Sequence, residues 1–286
     1  MEKEQMELLM QKALLASIEA GEEIVCIYTD PKQDFGVERK ADNSPLTLAD
    51  KASHEVIMCH LESTGIPVLS EEGQHLPYEQ RGAWERLWVV DPLDGTKEFI
   101  KKNGEFTVNV ALVEHGQPVM GVVYVPVTRT LYYGIVGVGA WKTSVPVCDG
   151  ALPSLTELPS FLSCGGTIPC QGSFVGQPLP AADGHEVFTV VASRSHMSSE
   201  TQAYILEMER IHGQVRTVSS GSSIKICLVA EGVADAYPRY APTMEWDTAA
   251  GDAVARAAGR AVTSAETGKP LEYNKPDLLN PWFLVE

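Results

Sequence analysis

A short apolar run, Leu87-Trp88-Val89-Val90, leads directly into Asp91-Pro92-Leu93-Asp94-Gly95-Thr96, and no other stretch of the chain limits its folding choices as much. The run reads as a short buried strand. Pro92 and Gly95 then supply a tight turn, so two carboxylates three residues apart stand at the strand's end, where their oxygens can hold a hard cation. Thr96 opens a new segment whose free backbone donors can face an anion. Strand, acidic turn and phosphate seat therefore coincide.

The surrounding pattern places this junction in an α/β chain, an α+β layered sandwich. Residues 5–28 carry apolar side chains at helical spacing, among them Leu9, Ala13, Leu14, Ile18 and Ile24, which predicts a long first helix against a core. Residues 42–47 read as a loop, Leu48 to Leu61 as a second helix with Asp50 in its first turn, and 66–69 as a strand that delivers Glu71. From 107 to 141 the alternation and turn residues predict an antiparallel meander. Strands expected at 187–192, 215–218 and 234–237 alternate with helices at 198–208, 224–231 and 248–258, the last begun by Asp247. That alternation suggests a mixed or parallel sheet with covering helices.

With 286 residues the chain exceeds the usual single core of roughly 100–200 residues, and two packed lobes, 1–150 and 151–286, are expected. Between them, 144–185 is rich in Pro, Gly, Ser and Cys and reads as a long irregular connection. No apolar run approaches the roughly 20 residues needed to cross a bilayer. The charged start Met1-Glu2-Lys3-Glu4 lacks the basic segment and apolar core of a secretory signal, so the cytoplasm is the expected location, with peripheral association at the inner membrane left open. Six cysteines without C-x-x-C spacing argue against zinc and for reduced thiols, Cys164 and Cys170 alone being close enough in sequence for a local disulfide.

A net charge of −16 disfavours nucleic-acid binding, because phosphate backbones are held by many lysines and arginines. An anionic substrate must then be met by local positive charge, and a bound divalent metal supplies it. Asp50, Glu71, Asp91, Asp94 and Asp247 all fall at expected turns or helix starts. Singly, Asp91 and Asp94 could form an Asx-type turn and Asp247 a helix cap. Glu71, at the end of an apolar strand, has no capping task. Magnesium takes oxygen ligands and keeps waters, whereas zinc would want clustered His or Cys, so the set selects magnesium.

Three blocks, Leu69-Ser70-Glu71-Glu72, Trp88-Val89-Val90-Asp91-Pro92-Leu93-Asp94-Gly95-Thr96 and Glu245-Trp246-Asp247-Thr248-Ala249-Ala250-Gly251-Asp252, resemble in order the metal-binding signatures of the inositol monophosphatase superfamily of lithium-sensitive, magnesium-dependent phosphatases. Within it, Lys97-Glu98-Phe99, Gly221-Ser222-Ser223-Ile224-Lys225 and Tyr237-Pro238-Arg239 are most similar to the 3'(2'),5'-bisphosphate nucleotidases of the bacterial sulfur-assimilation type. The likeness covers nearly the whole chain, departing mainly at 144–185, which is longer than the usual connection.

The resemblance implies two or more Mg2+ ions, one on Glu71, Asp91 and the Leu93 carbonyl, another on Asp91, Asp94 and Asp247, with Asp91 bridging. It implies a catalytic set of Asp50, Glu71 and Thr96, in which Thr96 hydrogen-bonds the nucleophilic water and Asp50 orients it. Gly95 and Thr96 would grip the scissile phosphate with backbone donors, close to Glu71, Leu93, Asp94 and Asp247. Ser222, Lys225 and Arg239 would contact the nucleotide. Arg194 and His196 lie between an expected strand and helix, where a remote phosphate can dock.

By the same likeness the 1–150 lobe carries the metal motifs, and the 151–286 lobe carries nucleotide recognition and the last metal aspartate. The implied reaction removes the 3'-phosphate from adenosine 3',5'-bisphosphate, giving AMP and phosphate, with its 5'-sulfated analogue as a second substrate. An inositol monophosphatase or fructose-1,6-bisphosphatase would share the metal chemistry. A non-catalytic protein bound to RNA or the transcription machinery would share only the fold, and the acidity and complete carboxylate set argue against it. The expected partner is a small nucleotide bisphosphate, and the oligomeric state is left open.

Overall fold

Both faces of the run 87–90 are apolar, so this strand has to be covered from two sides. The computed structural model describes residues 2–31, 35–39, 45–74, 76–146, 176–181, 186–192 and 197–286, and in it the strand is the second of a seven-stranded sheet with helices on each face.

Helix α1 (Lys3–Thr29) is followed by a small antiparallel ribbon, β1 (Glu38–Arg39) and β2 (Pro45–Leu46), and by α2 (Leu48–Leu61). The sheet then runs β3 (Val68–Ser70), with α3 (Tyr78–Arg81) beyond it, β4 (Arg86–Asp94), with α4 (Thr96–Ile100) at its end, β5 (Thr107–Glu114), β6 (Gln117–Val125), β7 (Thr130–Ile135), β8 (Gly139–Ser144) and β9 (Gln177–Leu179). Strand order follows chain order, and every pair is antiparallel except β3 with β4, which is parallel. The second half contributes β10 (Phe188–Ala192), α5 (Ser199–His212), β11 (Val215–Ser219), α6 (Ile224–Glu231), β12 (Tyr237–Arg239), α7 (Glu245–Ala257), β13 (Val262–Ser264) and β14 (Phe283–Val285). There β10 and β11 pair in parallel, β12, β14 and β13 pair antiparallel, and a parallel bridge between Val190 and Ala236 links the two groups. The layered α/β class and the mixed second sheet are as expected.

Two cores lie on the two faces. Trp88, Val90, Val108, Val110 and Leu112 pack with α1 and α2, whereas Leu87, Val89, Ala111, Val113 and Val123 pack with α6 and α7. Helix α7 comes unusually close to the sheet because its facing surface is alanine (Ala249, Ala250, Ala253) and because β6 offers Gly121. A Cβ at Gly121 would stand only 2.3 Å from Ala250 O, so the position admits no side chain while α7 stays where it is.

Three expectations are revised. The acidic segment is not a turn after a short strand but the end of β4 itself, carrying a bulge: Asp91 pairs with Asn109 and Asp94 with Thr107, so Pro92 and Leu93 stand opposite Val108 alone. The stretch 144–185 is not wholly irregular, since Gln177–Leu179 adds a strand to the main sheet beside β8. Asp247 does not begin its helix but is the third residue of α7, with Met244 at the cap position. Residues 147–175, with Cys164 and Cys170, lie outside the described residues. No helix among the described residues is long and apolar enough to cross a membrane.

Candidate active site

The bulge creates the site. Along an unbroken strand, residues three apart face opposite sides, so Asp91 and Asp94 would diverge. With one extra residue in the ladder, Leu93 joins Trp88 and Val90 in the core under α1 and α2, and Asp94 returns to the α7 side with Asp91. Leu93 N–H donates to Asp91 Oδ1 at 3.1 Å, and Ser53 of α2 donates to Pro92 O at 2.7 Å, which fixes the kinked backbone. Because Ser70 pairs with Val90 across parallel strands, Glu71 leaves β3 beside Asp91, its N–H donating to Val90 O at 3.1 Å.

From the other half, α7 brings Asp247 to the same point. Its carboxylate accepts from Met244 N–H at 2.8 Å, the capping bond a helix's first turn invites. Asp91, Asp94 and Asp247 each place a carboxylate oxygen within 4.8 Å of the others. Glu71 stands beside this trio, hydrogen-bonded to Asp91. Burial, then the charges of Glu71, Asp94 and Asp247, hold the Asp91 carboxyl well above the ordinary range. Burial and the charge of Asp94 push Asp247 up to about 8. Carboxylates this close in a dry site ionise together only if positive charge lies between them. The donors are all oxygens, which fits a hard divalent cation and not zinc.

Asp50 sits in the first turn of α2. Its Oδ2 accepts from Thr47 N–H at 2.7 Å in a capping box, and its Oδ1 is 3.3 Å from Thr96 Oγ1. Burial pushes its pKa up to about 6 against the hydrogen bonds from Thr47. The Thr96 hydroxyl is also 3.4 Å from Leu93 O. Gly95 precedes α4 with φ +95, and a Cβ there would crowd Glu105 O and Ser222 Cβ at 3.3 Å.

A cleft of about 630 Å3 opens above, with Asp94, Gly95, Thr96 and Asp247 in its lining and Ser222, Lys225 and Arg239 in the same wall. Asp50 and Asp91, each 1% exposed, are buried beyond the lining. Ser222 takes a left-handed backbone, φ +43, and donates to Glu105 O at 3.1 Å. Lys225 is 8% exposed; its ammonium donates to Ser222 O at 2.7 Å and lies 5.7 Å from the Tyr237 ring centre. No carboxylate among the described residues pairs with it, and burial pulls its pKa down to about 8. Arg239 donates to Pro242 O at 3.1 Å, and its buried Nε has no partner among the described residues.

The structure thus gathers Asp50, Glu71, Asp91, Leu93, Asp94, Gly95, Thr96, Ser222, Lys225, Arg239 and Asp247 around one cleft, while Arg194 and His196 lie outside the described residues. Lys97 and Lys101, also in the lining, were not marked as candidate ligands. Their signal in the sequence is i, i+4 spacing directly after Thr96, which puts Lys97 of α4 and its C-cap residue Lys101 on one side.

Comparison with known proteins identifies the family. The model of the inositol monophosphatase family matches residues 5–282. The 3'(2'),5'-bisphosphate nucleotidase CysQ of Escherichia coli O6:H1 is 46% identical over 269 residues, 93% of this chain and 94% of that protein. The protein of the same name from Salmonella typhimurium is 45% identical with the same coverage. A crystal structure of CysQ from Bacteroides thetaiotaomicron, 53% identical, superposes with a TM-score of 0.83 and covers 96% of each chain. Since the family match spans nearly the whole chain and every element that delivers a carboxylate to the cleft, the chain belongs to the inositol monophosphatase family.

Proposed function

We propose that this chain is a magnesium-dependent 3'(2'),5'-bisphosphate nucleotidase that hydrolyses the 3'-phosphate of adenosine 3',5'-bisphosphate to AMP and phosphate. The observation that carries the proposal is the shared cleft: an all-oxygen carboxylate cluster at one end, and on the wall the buried Lys225 ammonium, which pairs with no carboxylate among the described residues, beside the half-buried Arg239 guanidinium. Relatives 45–46% identical over 93% of the chain bear that enzyme's name.

Glu71, Asp91 and the Leu93 carbonyl would hold one Mg2+ and Asp91, Asp94 and Asp247 a second. Bound there, the ions would supply Lewis acidity toward the phosphate and ease the deprotonation of water. Thr96 would position the attacking water, and Asp50, with a pKa of about 6, would receive its proton through the Thr96 hydroxyl. The N–H groups of Gly95 and Thr96 would hold the scissile phosphate. Ser222, Lys225 and Arg239 would contact the nucleotide, and Arg194 and His196 the remote phosphate. The 5'-sulfated analogue differs only at that remote end and would be a second substrate. Division of labour between lobes 1–150 and 151–286 follows, with work in the cytoplasm.

The test is phosphate release, with and without Mg2+, from adenosine 3',5'-bisphosphate, AMP, inositol 1-phosphate and fructose 1,6-bisphosphate in parallel. Magnesium-dependent preference for the bisphosphate nucleotide is expected. Preference for inositol or sugar phosphate would keep the carboxylate chemistry and overturn the assigned roles of Ser222, Lys225 and Arg239.

A further inference from the structure

Asp94 is a carboxylate of the trio on which two buried neutral side chains converge from separate elements. Asn109 of β5, 1% exposed, and Ser223, 2% exposed and immediately before α6, are both buried beside it. Asn109 Nδ2 donates to Ser223 Oγ at 2.9 Å and lies 3.5 Å from Asp94 Oδ2. Ser223 Oγ in turn stands 2.8 Å from Asp94 Oδ2 and 2.7 Å from Asp247 O. The serine therefore touches two of the three clustered aspartates, one at its side chain and one at its backbone.

We infer that Ser223 and Asn109 are positioning residues that set the protein's metal affinity by locking the Asp94 carboxylate, a role that rests on Asp94 being a metal ligand as proposed above. The amide nitrogen of Asn109 can only donate, so Ser223 must accept from it and direct its own proton at Asp94 Oδ2 or Asp247 O. Either choice ties β4, β5, α6 and α7 together at one hydroxyl. Among the described residues Asp94 Oδ1 accepts no hydrogen bond, so it is the oxygen left for an ion. A carboxylate free to rotate about its last torsion would present that oxygen only part of the time. Buried polar groups are costly unless they are paired; Asn109 Nδ2 and Ser223 Oγ bond only each other and the ligand aspartates, and Asn109 Oδ1 stays buried without a partner among the described residues. Partners that orient a metal ligand typically change metal affinity by about 10- to 100-fold when removed.

Ser223 shares the cleft lining with Ser222 but bonds differently. Ser222, the neighbouring serine, points its hydroxyl at Glu105 O instead, so the two consecutive serines serve different shells. Their different directions follow from the left-handed backbone at Ser222, which turns the chain between them.

The experiment is calorimetric titration of Mg2+ into the full chain and into Ser223→Ala, Ser223→Thr, Asn109→Ala, Asp94→Asn and the Ser223→Ala/Asp94→Asn double variant, each first checked for cooperative thermal unfolding without metal. Ser223→Ala should weaken binding by about 10- to 100-fold, with Ser223→Thr, which keeps the hydroxyl, closer to the parent. In the Asp94→Asn background the serine change should add little, since the charged ligand it orients is gone. If Asp94→Asn weakens binding and Ser223→Ala does not, the positioning role is wrong and the metal assignment stands. An unchanged affinity in Asp94→Asn would overturn both. Should Ser223→Ala not unfold cooperatively, Asn109→Ala answers the same question at the other end of the pair.

Discussion

Asp50 commits one carboxylate oxygen to the Thr47 cap and turns the other toward Thr96, so a single side chain both starts α2 and faces the reaction. Its use as a base requires the ionised form. Because burial raises its pKa to about 6, the base is lost as pH falls through about 6, and kcat/KM should drop tenfold per pH unit below that point. Lys225 behaves in the opposite sense. Burial lowers its pKa to about 8, so its positive charge, and with it affinity for an anionic nucleotide, is lost as pH rises through about 8. The expected pH profile of kcat/KM is a bell between these limits. Lys225→Arg, which keeps its charge far above pH 8, should flatten the alkaline limb and leave the acid limb in place. Steady-state kinetics from pH 5 to pH 10 checks both; a parent profile flat on either side sinks the corresponding role. Thr96→Ala should lower kcat by about 100-fold or more while moving the Mg2+ half-saturation little, since the hydroxyl serves the water and not the ions. Equal losses in both would place Thr96 among the ligands instead.

At the scale of elements, the bulge and the depth of α7 determine whether the aspartates meet. Gly121→Ala puts a methyl where Ala250 O already stands, 2.3 Å from the new Cβ, and forces α7 outward. Overpacking of this kind costs about 1–3 kcal/mol. The same displacement withdraws Asp247 from Asp94, so weakened Mg2+ binding should accompany the loss in thermal stability; intact binding would mean the helix slides rather than lifts. Helices α2 and α6 are fully legible in the sequence, their bounds falling at Leu48–Leu61 and Ile224–Glu231 as expected, because cap residues and glycines mark their ends. The bulge is not legible: Pro92 reads as a turn signal, and a bulge exists only relative to the partner strand, which a local pattern does not contain. Strand β9 escapes for the same reason, being three residues in a Pro/Gly-rich stretch whose pairing with β8 is long-range. The start of α7 reads three residues late because an aspartate at the third helical position, accepting from the cap residue's N–H, looks in a bare sequence like an aspartate at the cap itself. The role of Ser223 had no signal at all, since nothing in Gly221-Ser222-Ser223 separates one hydroxyl from the other.

Across the whole molecule, ligands from β3, β4 and α7 converge from positions as far apart as 71 and 247, and only the resemblance of three ordered motifs made that convergence readable beforehand. Folding brings like charges together, so the metal-free chain carries the repulsion of Glu71, Asp91, Asp94 and Asp247 as a built-in weakness. Two opposite effects of one substitution follow. Asp247→Asn removes a carboxyl whose ionisation the fold opposes, its pKa being pushed up to about 8, while keeping an oxygen that can accept from Met244 N–H, so above the ordinary carboxylate range the metal-free protein should melt at a higher temperature than the parent. The parent should gain more from magnesium: at a hundredfold excess over Kd, binding to the folded state alone adds about 2.7 kcal/mol, or about 5 °C in a chain of this size. Asp247→Asn, short of a ligand, should gain a small part of that shift. Melting curves of both proteins with chelator and with Mg2+ should therefore cross, the variant higher without metal and the parent higher with it. A variant that melts lower under both conditions would show that Asp247 is chiefly a helix cap, and that the cluster's charge is no burden on the fold.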